Sequence, residues 1–526
     1  MKKISVLSVL GILFCLSSYA QQNNFPSGYD VAAIREFRNK LLADPYRPVY
    51  HFAIPEDYAV PSDPNGCIYW GGRYHMFHIF QDRGVHVFAH LSSLDMIHWR
   101  EHPKALYPTH ESKIEGIFSG NCFVNKKGEA TMLYHGVGQG NSISLSSDPL
   151  LDQWRQLPSN PVVPDPKDRP AIANEADRDF EGGAPYASWD PHGWVEGDTY
   201  YAIFGGKRPA VFKAVELDKW NYVGDLFGTY LSDVSKNEDV SCPDFFTLGG
   251  KKVLLCISHH LGCRYYVGTW KDEKFYPENH ACMSFADNTF FAPESLLTPD
   301  GRRVMWAWLF DARSQEVVQK SGWSGMMSLP RELFMRKDHT LGMRPVSELR
   351  SLRYNEKLYA AQNISKVTPL TGAAGDVKEI VVEIDPREAT KCGVRILESQ
   401  DGKEYGEVYY DVAGKKLVLD MSRLNAIGMA PVTPLGVEFK KIEEAPFELQ
   451  KGEKLVLDIL IDKCIVEVYA NERQALVRTN AFFSESNEKN ISLFGEGGSA
   501  RFKSVTVWDI CLLYTSPSPR DRQKSR

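Results

Sequence analysis

Two aspartates, each held in a turn of restricted conformation, are the residues of this chain best suited to chemistry. Asp63 lies in Ser62-Asp63-Pro64-Asn65-Gly66, a tight-turn signal followed at once by the strand-like run Cys67-Ile68-Tyr69-Trp70. Such a turn fixes the carboxylate at the mouth of a sheet. Asp190 lies in Ser188-Trp189-Asp190-Pro191-His192-Gly193-Trp194, where aromatic rings and a proline would desolvate and orient it. Each segment also reads as a plain turn, Asp190 being an Asx-turn acid before proline. Paired, the two carboxyl groups suit glycoside hydrolysis with retention. That reaction needs two such groups about 5–5.5 Å apart, one attacking the anomeric carbon and one protonating the leaving oxygen.

Acids this far apart in sequence converge only if the fold brings them together. From about residue 50 to residue 335 short strand-like runs dominate, among them Tyr74 to Phe80, Ala130 to Tyr134, Thr199 to Phe204, Lys252 to Ile257 and Arg303 to Leu309. A loose repeat accompanies them: Ser93-Leu94-Asp95 leads to Trp99, Ser147-Asp148 to Trp154, and Leu217-Asp218 to Trp220. A period of roughly 50–65 residues built of short strands predicts β-propeller blades, about five of them, over residues 21–343. A sandwich is the competing arrangement. In a propeller the inner strand of each blade points side chains into a shared funnel, so distant acids can meet.

Residues 344–356, opening with Arg344-Pro345, break the pattern and read as a linker. Residues 357–510 are again strand-rich, with alternation in Ile380-Val381-Val382-Glu383-Ile384 and in Lys454 to Ile461, and predict a β-sandwich. The expected fold is therefore all-β, a five-bladed propeller followed by a sandwich. Met1-Lys2-Lys3, the apolar run Val6 to Leu16 and the small residues of Ser18-Tyr19-Ala20 read as a signal peptide over residues 1–20, implying a secreted or periplasmic protein. Residues 511–526 resemble translated adapter DNA and are set aside as a non-native tail; a disordered basic tail is the other reading.

Length and composition narrow the class. At 526 residues the chain is too long for a single core, and 12% aromatic residues supply rings for cores or for stacking on sugars. The net charge of −6 becomes more acidic once Lys2, Lys3 and the basic tail are set aside, which disfavours nucleic acid or an anionic membrane as partner. The ten cysteines show no metal-ligand or framework spacing, so most read as buried thiols. Neither metal nor cofactor is expected. His259-His260 and His192 lack metal-ligand company, and Gly136-Val137-Gly138-Gln139-Gly140 lacks the Lys-Ser/Thr of a phosphate cradle. Trp189, Trp194 and Trp323 read equally as sugar platforms or as core.

With Phe118-Ser119-Gly120 and Ser241-Cys242-Pro243-Asp244, these segments resemble glycoside hydrolase family 32, the invertase, levanase and inulinase group. The likeness spans roughly residues 47–510 and includes His90 with Asp95-Met96-Ile97-His98-Trp99, Phe291-Ala292-Pro293-Glu294-Ser295-Leu296 and Gly322-Trp323-Ser324-Gly325. It implies hydrolysis of β-fructosides of the sucrose, levan or inulin type, or of a related furanoside; a monomer or weak oligomer is expected. Asp63 resembles the nucleophile and Asp190 the transition-state stabiliser. Ser62, Asn65, Phe88, Phe118, Ser119, Trp189, Ser241 and Trp323 fall at substrate-binding positions. The departures are specific. Ser62 replaces an Asn, Trp189 an Arg, Ile79 a Gln and Phe88 a Trp, and Ser241 stands where the family carries its acid/base Glu. A hydroxyl is too weak an acid for that task, whose loss costs about 10²–10⁴-fold. Three outcomes follow: a nearby acid takes over, the leaving group needs little protonation, or the protein binds carbohydrate without cleaving it. Asp239, two residues before Ser241 and on its strand face, is the favoured substitute. Glu238, Asp244, Glu181 and Glu294 are the other candidates.

Overall fold

Strands that are apolar on both faces need cover on both sides, and here each sheet supplies cover for the next. In the computed structural model, which describes residues 31–54, 62–108, 116–166, 186, 188–234, 238–259, 262–425, 428–480 and 489–512, five antiparallel sheets of four to six strands follow one another along the chain. Their inner strands are Pro64–Trp70, Ile117–Val124, Pro191–Glu196, Ser241–Leu248 and Phe290–Leu297. Each inner strand packs on the next and the fifth on the first, closing a five-bladed ring. The apolar residues lie between blades: Ile68, Phe77, Ile79, Phe88 and Met132 between the first and second, Leu133, Ile143, Ala202 and Phe204 between the second and third, and Ile203, Phe245, Leu254 and Tyr266 between the third and fourth.

Two local devices explain how the ring is built. The loose Asp…Trp repeat is a turn between outer strands. Asp148 accepts hydrogen bonds from the N–H groups of Leu150, Asp152 and Gln153, and the indole N–H groups of Trp154 and Trp220 bond the carbonyls of Leu151 and Leu217. Closure is completed from the other end of the propeller sequence: Ala53–Ile54, upstream of the first blade, pairs antiparallel with Ser324–Met327 of the fifth.

Beyond the propeller, the segment read as a linker is a 3-10 turn, Ser347–Leu352, that buries Leu349 and Leu352. The first strand of the second domain starts directly after it, at Arg353. That domain is two packed antiparallel sheets of seven and six strands. Alternate residues such as Ile380, Val382, Ile384, Leu457, Ile459 and Ile461 fill the space between them. Buried ion pairs join it to the propeller. Glu467 accepts from the Leu329 N–H and the Arg331 guanidinium, and Arg478 makes a two-pronged bond to Asp287 at 2.8 and 2.9 Å. Removing one member of such a pair strands the other's charge, a loss of about 3–5 kcal/mol, so the interface tolerates little sliding.

Pro48–Arg526 form one compact unit and residues 1–47 another, whose described part centres on the helix Val31–Ala43. The segments read as signal peptide and the tail beyond residue 512 lie outside the described residues. No described helix is long and apolar enough to cross a membrane. The described cysteines are free thiols, and six of them are buried.

Candidate active site

The mouth of the funnel is shaped by a device that recurs around the ring. The inner strands of blades one, two, four and five each carry a register shift near their start, at Asn65/Ile68, Phe118/Gly120, Ser241/Asp244 and Phe291/Glu294. Bulges of this kind re-aim side chains and are common beside active sites. At the first of them, Gly66 has φ +55, in the left-handed region that favours glycine. Asn65 Nδ2 donates to the Asp63 carbonyl at 2.7 Å while its Oδ1 accepts the Gly120 N–H at 2.8 Å, tying the turn to blade two. Asp63 is thereby held with Oδ2 accepting from the Ser119 hydroxyl at 3.0 Å. Its Oδ1 is buried without a hydrogen-bond partner.

Asp190 meets it through the bulge of blade four. Cys242, at φ 46, turns both its N–H and its thiol inward. The N–H donates to Asp190 Oδ2 at 3.0 Å. The sulfur lies 3.6 Å from that oxygen, 3.8 Å from Asp63 Oδ2 and 3.5 Å from Ser119 Oγ. One thiol therefore touches both aspartates, and the two acids of the sequence reading do converge.

Burial sets the charge of both. It pushes the Asp63 carboxyl up to about 6 against the opposing pull of the Ser119 hydroxyl and His259. It pushes Asp190 up to about 7, the Cys242 N–H opposing and the Asp63 charge adding to the rise. Raised carboxyl pKa values favour the fold below the ordinary carboxylate range, near pH 4, and that advantage is lost as pH rises through about 6 and 7. Asp190→Asn, which cannot ionise, is therefore expected to stabilise the protein at pH 8 by on the order of 2 kcal/mol. Thermal melts at pH 5 and pH 8 check this: the gain is larger at the higher pH, and an equal shift at both would contradict it.

Beside this pair, Asp239 accepts the Ser241 hydroxyl at 2.9 Å through Oδ1. Its Oδ2 meets the His259 ring and, at 3.3 Å, the His259 N–H. Along the sequence, His259 shows only a lack of metal-ligand company. Strand pairing shows its partner. Ser241 is opposite Ile257, so continuing that antiparallel register by two residues places Asp239 opposite His259. The charges of this dyad reach the aspartates, His259 acting on both and Asp239 on Asp190.

Other candidates fall elsewhere. Phe88 is fully buried among Phe77, Ile79 and Leu106, because its strand face turns to blade two and away from the funnel. Trp323 is also fully buried, beneath the Arg313 guanidinium 3.4 Å from its ring centroid, and offers no face to a sugar. Trp194 packs among Tyr201, Phe245 and Trp270. Asn65 spends both ends of its amide on the protein, and Ser62 is buried behind the turn. Trp189 is 38% exposed, resting against His135, while Phe118 is half-buried, edge-on to His86. Of the alternative acids, Glu238 is locked to Arg264 at 2.5 Å. Asp244 and Glu294 are buried together near Arg303. Glu181 lies outside the described residues.

A closed ring of five blades with two buried carboxyl groups meeting at its mouth, and a sandwich locked to its side, is the architecture of a propeller glycosidase. The family models "Glycosyl hydrolases family 32 N-terminal domain" and "Glycosyl hydrolases family 32 C terminal" match residues 51–345 and 348–509. The chain belongs to glycosyl hydrolase family 32. It is 27% identical over 507 residues to the levanase of Bacillus subtilis, covering 88% of this chain and 70% of that protein. It is 26% identical over 505 residues to the sucrose-6-phosphate hydrolase of Escherichia coli, covering 88% and 95%. Among solved structures, fructan 1-exohydrolase IIa of Cichorium intybus superposes with a TM-score of 0.76 at 20% identity, covering 89% of this chain and 98% of that one.

Proposed function

We propose that this protein hydrolyses β-fructosides with retention, with Asp63 as nucleophile and Asp190 as the carboxyl group that steadies the developing positive charge on the sugar. The contact of one thiol with both carboxyl groups carries the reading, because it puts them against the same small volume. Membership of the family and likeness to a levanase and a sucrose-6-phosphate hydrolase supply the substrate class. Asp63 Oδ1, buried and unpartnered, is the oxygen free to form the bond to the anomeric carbon. Burial with few hydrogen bonds keeps that carboxylate reactive, and its attack requires the ionised form.

The proton for the leaving oxygen comes from the Asp239–His259 dyad. Asp239 holds the ring, and the protonated imidazole can donate a proton where the Ser241 hydroxyl cannot. In the second half of the reaction the same dyad takes a proton from the water that frees the sugar. Ser119 orients Asp63, while Phe118 and the exposed Trp189 ring offer apolar faces to the substrate. Residues 1–20, read as an export signal, would deliver the protein to extracellular or periplasmic oligosaccharides. Fructose release from sucrose, levan and inulin, compared with Asp63→Asn, tests the proposal. Saturable binding with no product from any of the three would leave a carbohydrate-binding protein instead.

A further inference from the structure

Where blade one meets blade two, three buried histidine rings stand in file. Ring centroids of His75 and His90 are 5.2 Å apart and those of His90 and His102 4.3 Å. Hydrogen bonds assign their protons. His75 Nε2 lies 3.2 Å from the Trp70 carbonyl, which can only accept, so that nitrogen carries the proton. His75 Nδ1 is then a bare lone pair, and His90 Nε2 donates to it at 2.9 Å. On the other side Arg73 donates to the Ser92 hydroxyl, which donates to His102 Nε2. His102 Nδ1 donates to Asp152 Oδ1 at 2.7 Å. One atom is left over. His90 Nδ1 is buried with no hydrogen-bond partner, its lone pair 3.6 Å from the same Asp152 oxygen.

Two acceptors facing each other in a buried place ask for a cation between them. We propose that His90 Nδ1, His102 Nδ1 and Asp152 Oδ1 bind one divalent transition-metal ion of the zinc type. The three atoms already lie within 4.8 Å of one another, and ligands around a tetrahedral zinc stand about 3.3–3.5 Å apart. Two imidazoles and a carboxylate select such an ion over calcium or magnesium. Binding needs no net loss of protons. The His102 proton moves from Nδ1 to Nε2 and is donated to Ser92 Oγ, whose second lone pair still accepts from Arg73. His90 keeps its outer N–H on His75 and, through it, on the Trp70 carbonyl, the support that ligating histidines usually have.

Asp152 is presented by a loop of blade two that is fixed against blade one. Its N–H donates to Asp148 at 2.8 Å, and the Trp70 indole donates to the Asp148 carbonyl at 2.9 Å. Gly71 admits the loop so closely that a Cβ there would meet the Pro149 carbonyl oxygen at 2.1 Å. The ion would pin the two blades, and the carboxyl group of Asp152, 23% exposed, gives it a route from solvent. No residue is shared with the proposed catalytic site. Sequence spacing concealed the group, since its ligands come from one strand, the residue after another, and a loop of the next blade.

Full-length protein stripped with EDTA and titrated with zinc chloride in a calorimeter is expected to take up one ion per chain and to melt at higher temperature. Cobalt chloride is expected to give the visible absorption bands of a four-coordinate nitrogen and oxygen site. Asp152→Asn, at a partly exposed position, should melt as the stripped wild type does and lose at least about tenfold in affinity; His102→Gln should do the same. Failure of the stripped wild type to bind zinc, cobalt bands absent at saturation, or wild-type affinity in Asp152→Asn would each overturn the assignment.

Discussion

Asp63→Asn is expected to abolish fructose release, lowering kcat by at least about 10⁴-fold, because no other group replaces a nucleophile that forms the covalent intermediate. The substitution keeps the shape and one acceptor oxygen for the Ser119 hydroxyl, so the turn should stand. It also removes a carboxyl group that burial disfavours when charged, so the variant should be no less stable than wild type above pH 7. Loss of activity in a protein that melts normally and still binds its oligosaccharide would locate the defect in chemistry. Measuring kcat and the binding constant separately makes that distinction. A variant retaining more than about a hundredth of the wild-type rate would remove Asp63 from the role.

His259→Gln should cost about 10²–10⁴-fold on sucrose or a fructan, whose leaving alcohols depart only with a proton. On a 4-nitrophenyl fructoside, whose leaving group is stable as an anion, the same variant should stay within about tenfold of wild type. Only a proton donor produces that split. A residue that merely supported the Ser241 loop would slow both substrates alike. Equal losses would therefore count against the Asp239–His259 dyad, and an unchanged rate on sucrose would show that another acid acts.

The architecture was legible because the signals for it are local and repeated. Turn residues before apolar runs mark each inner strand, and the Asp…Trp spacing marks the outer turns, whose side-chain caps the structure displays. Asp63 and Asp190 were legible for the same reason, each sitting in a turn of restricted conformation. What escaped depended on strand register and on which face turns inward. His259 faces Asp239 across a strand pair, a relation that no spacing along the chain displays. Phe88 and Trp323 sit at aromatic positions that suit a pocket, but their faces turn into the packing between elements. Cys242 looks like a strand cysteine until a bulge and a positive φ aim its thiol at both aspartates.

Incubation with the cleaved fructoside in aqueous methanol, followed by NMR of the first methyl glycoside formed, tests the central claim most directly. Attack by Asp63 on the face opposite the leaving group, followed by attack of methanol on the face opposite Asp63, predicts methyl β-fructofuranoside, formed by wild type and absent with Asp63→Asn. First-formed α-anomer would contradict the account, as would oligosaccharide bound without any fructose or methyl fructoside appearing.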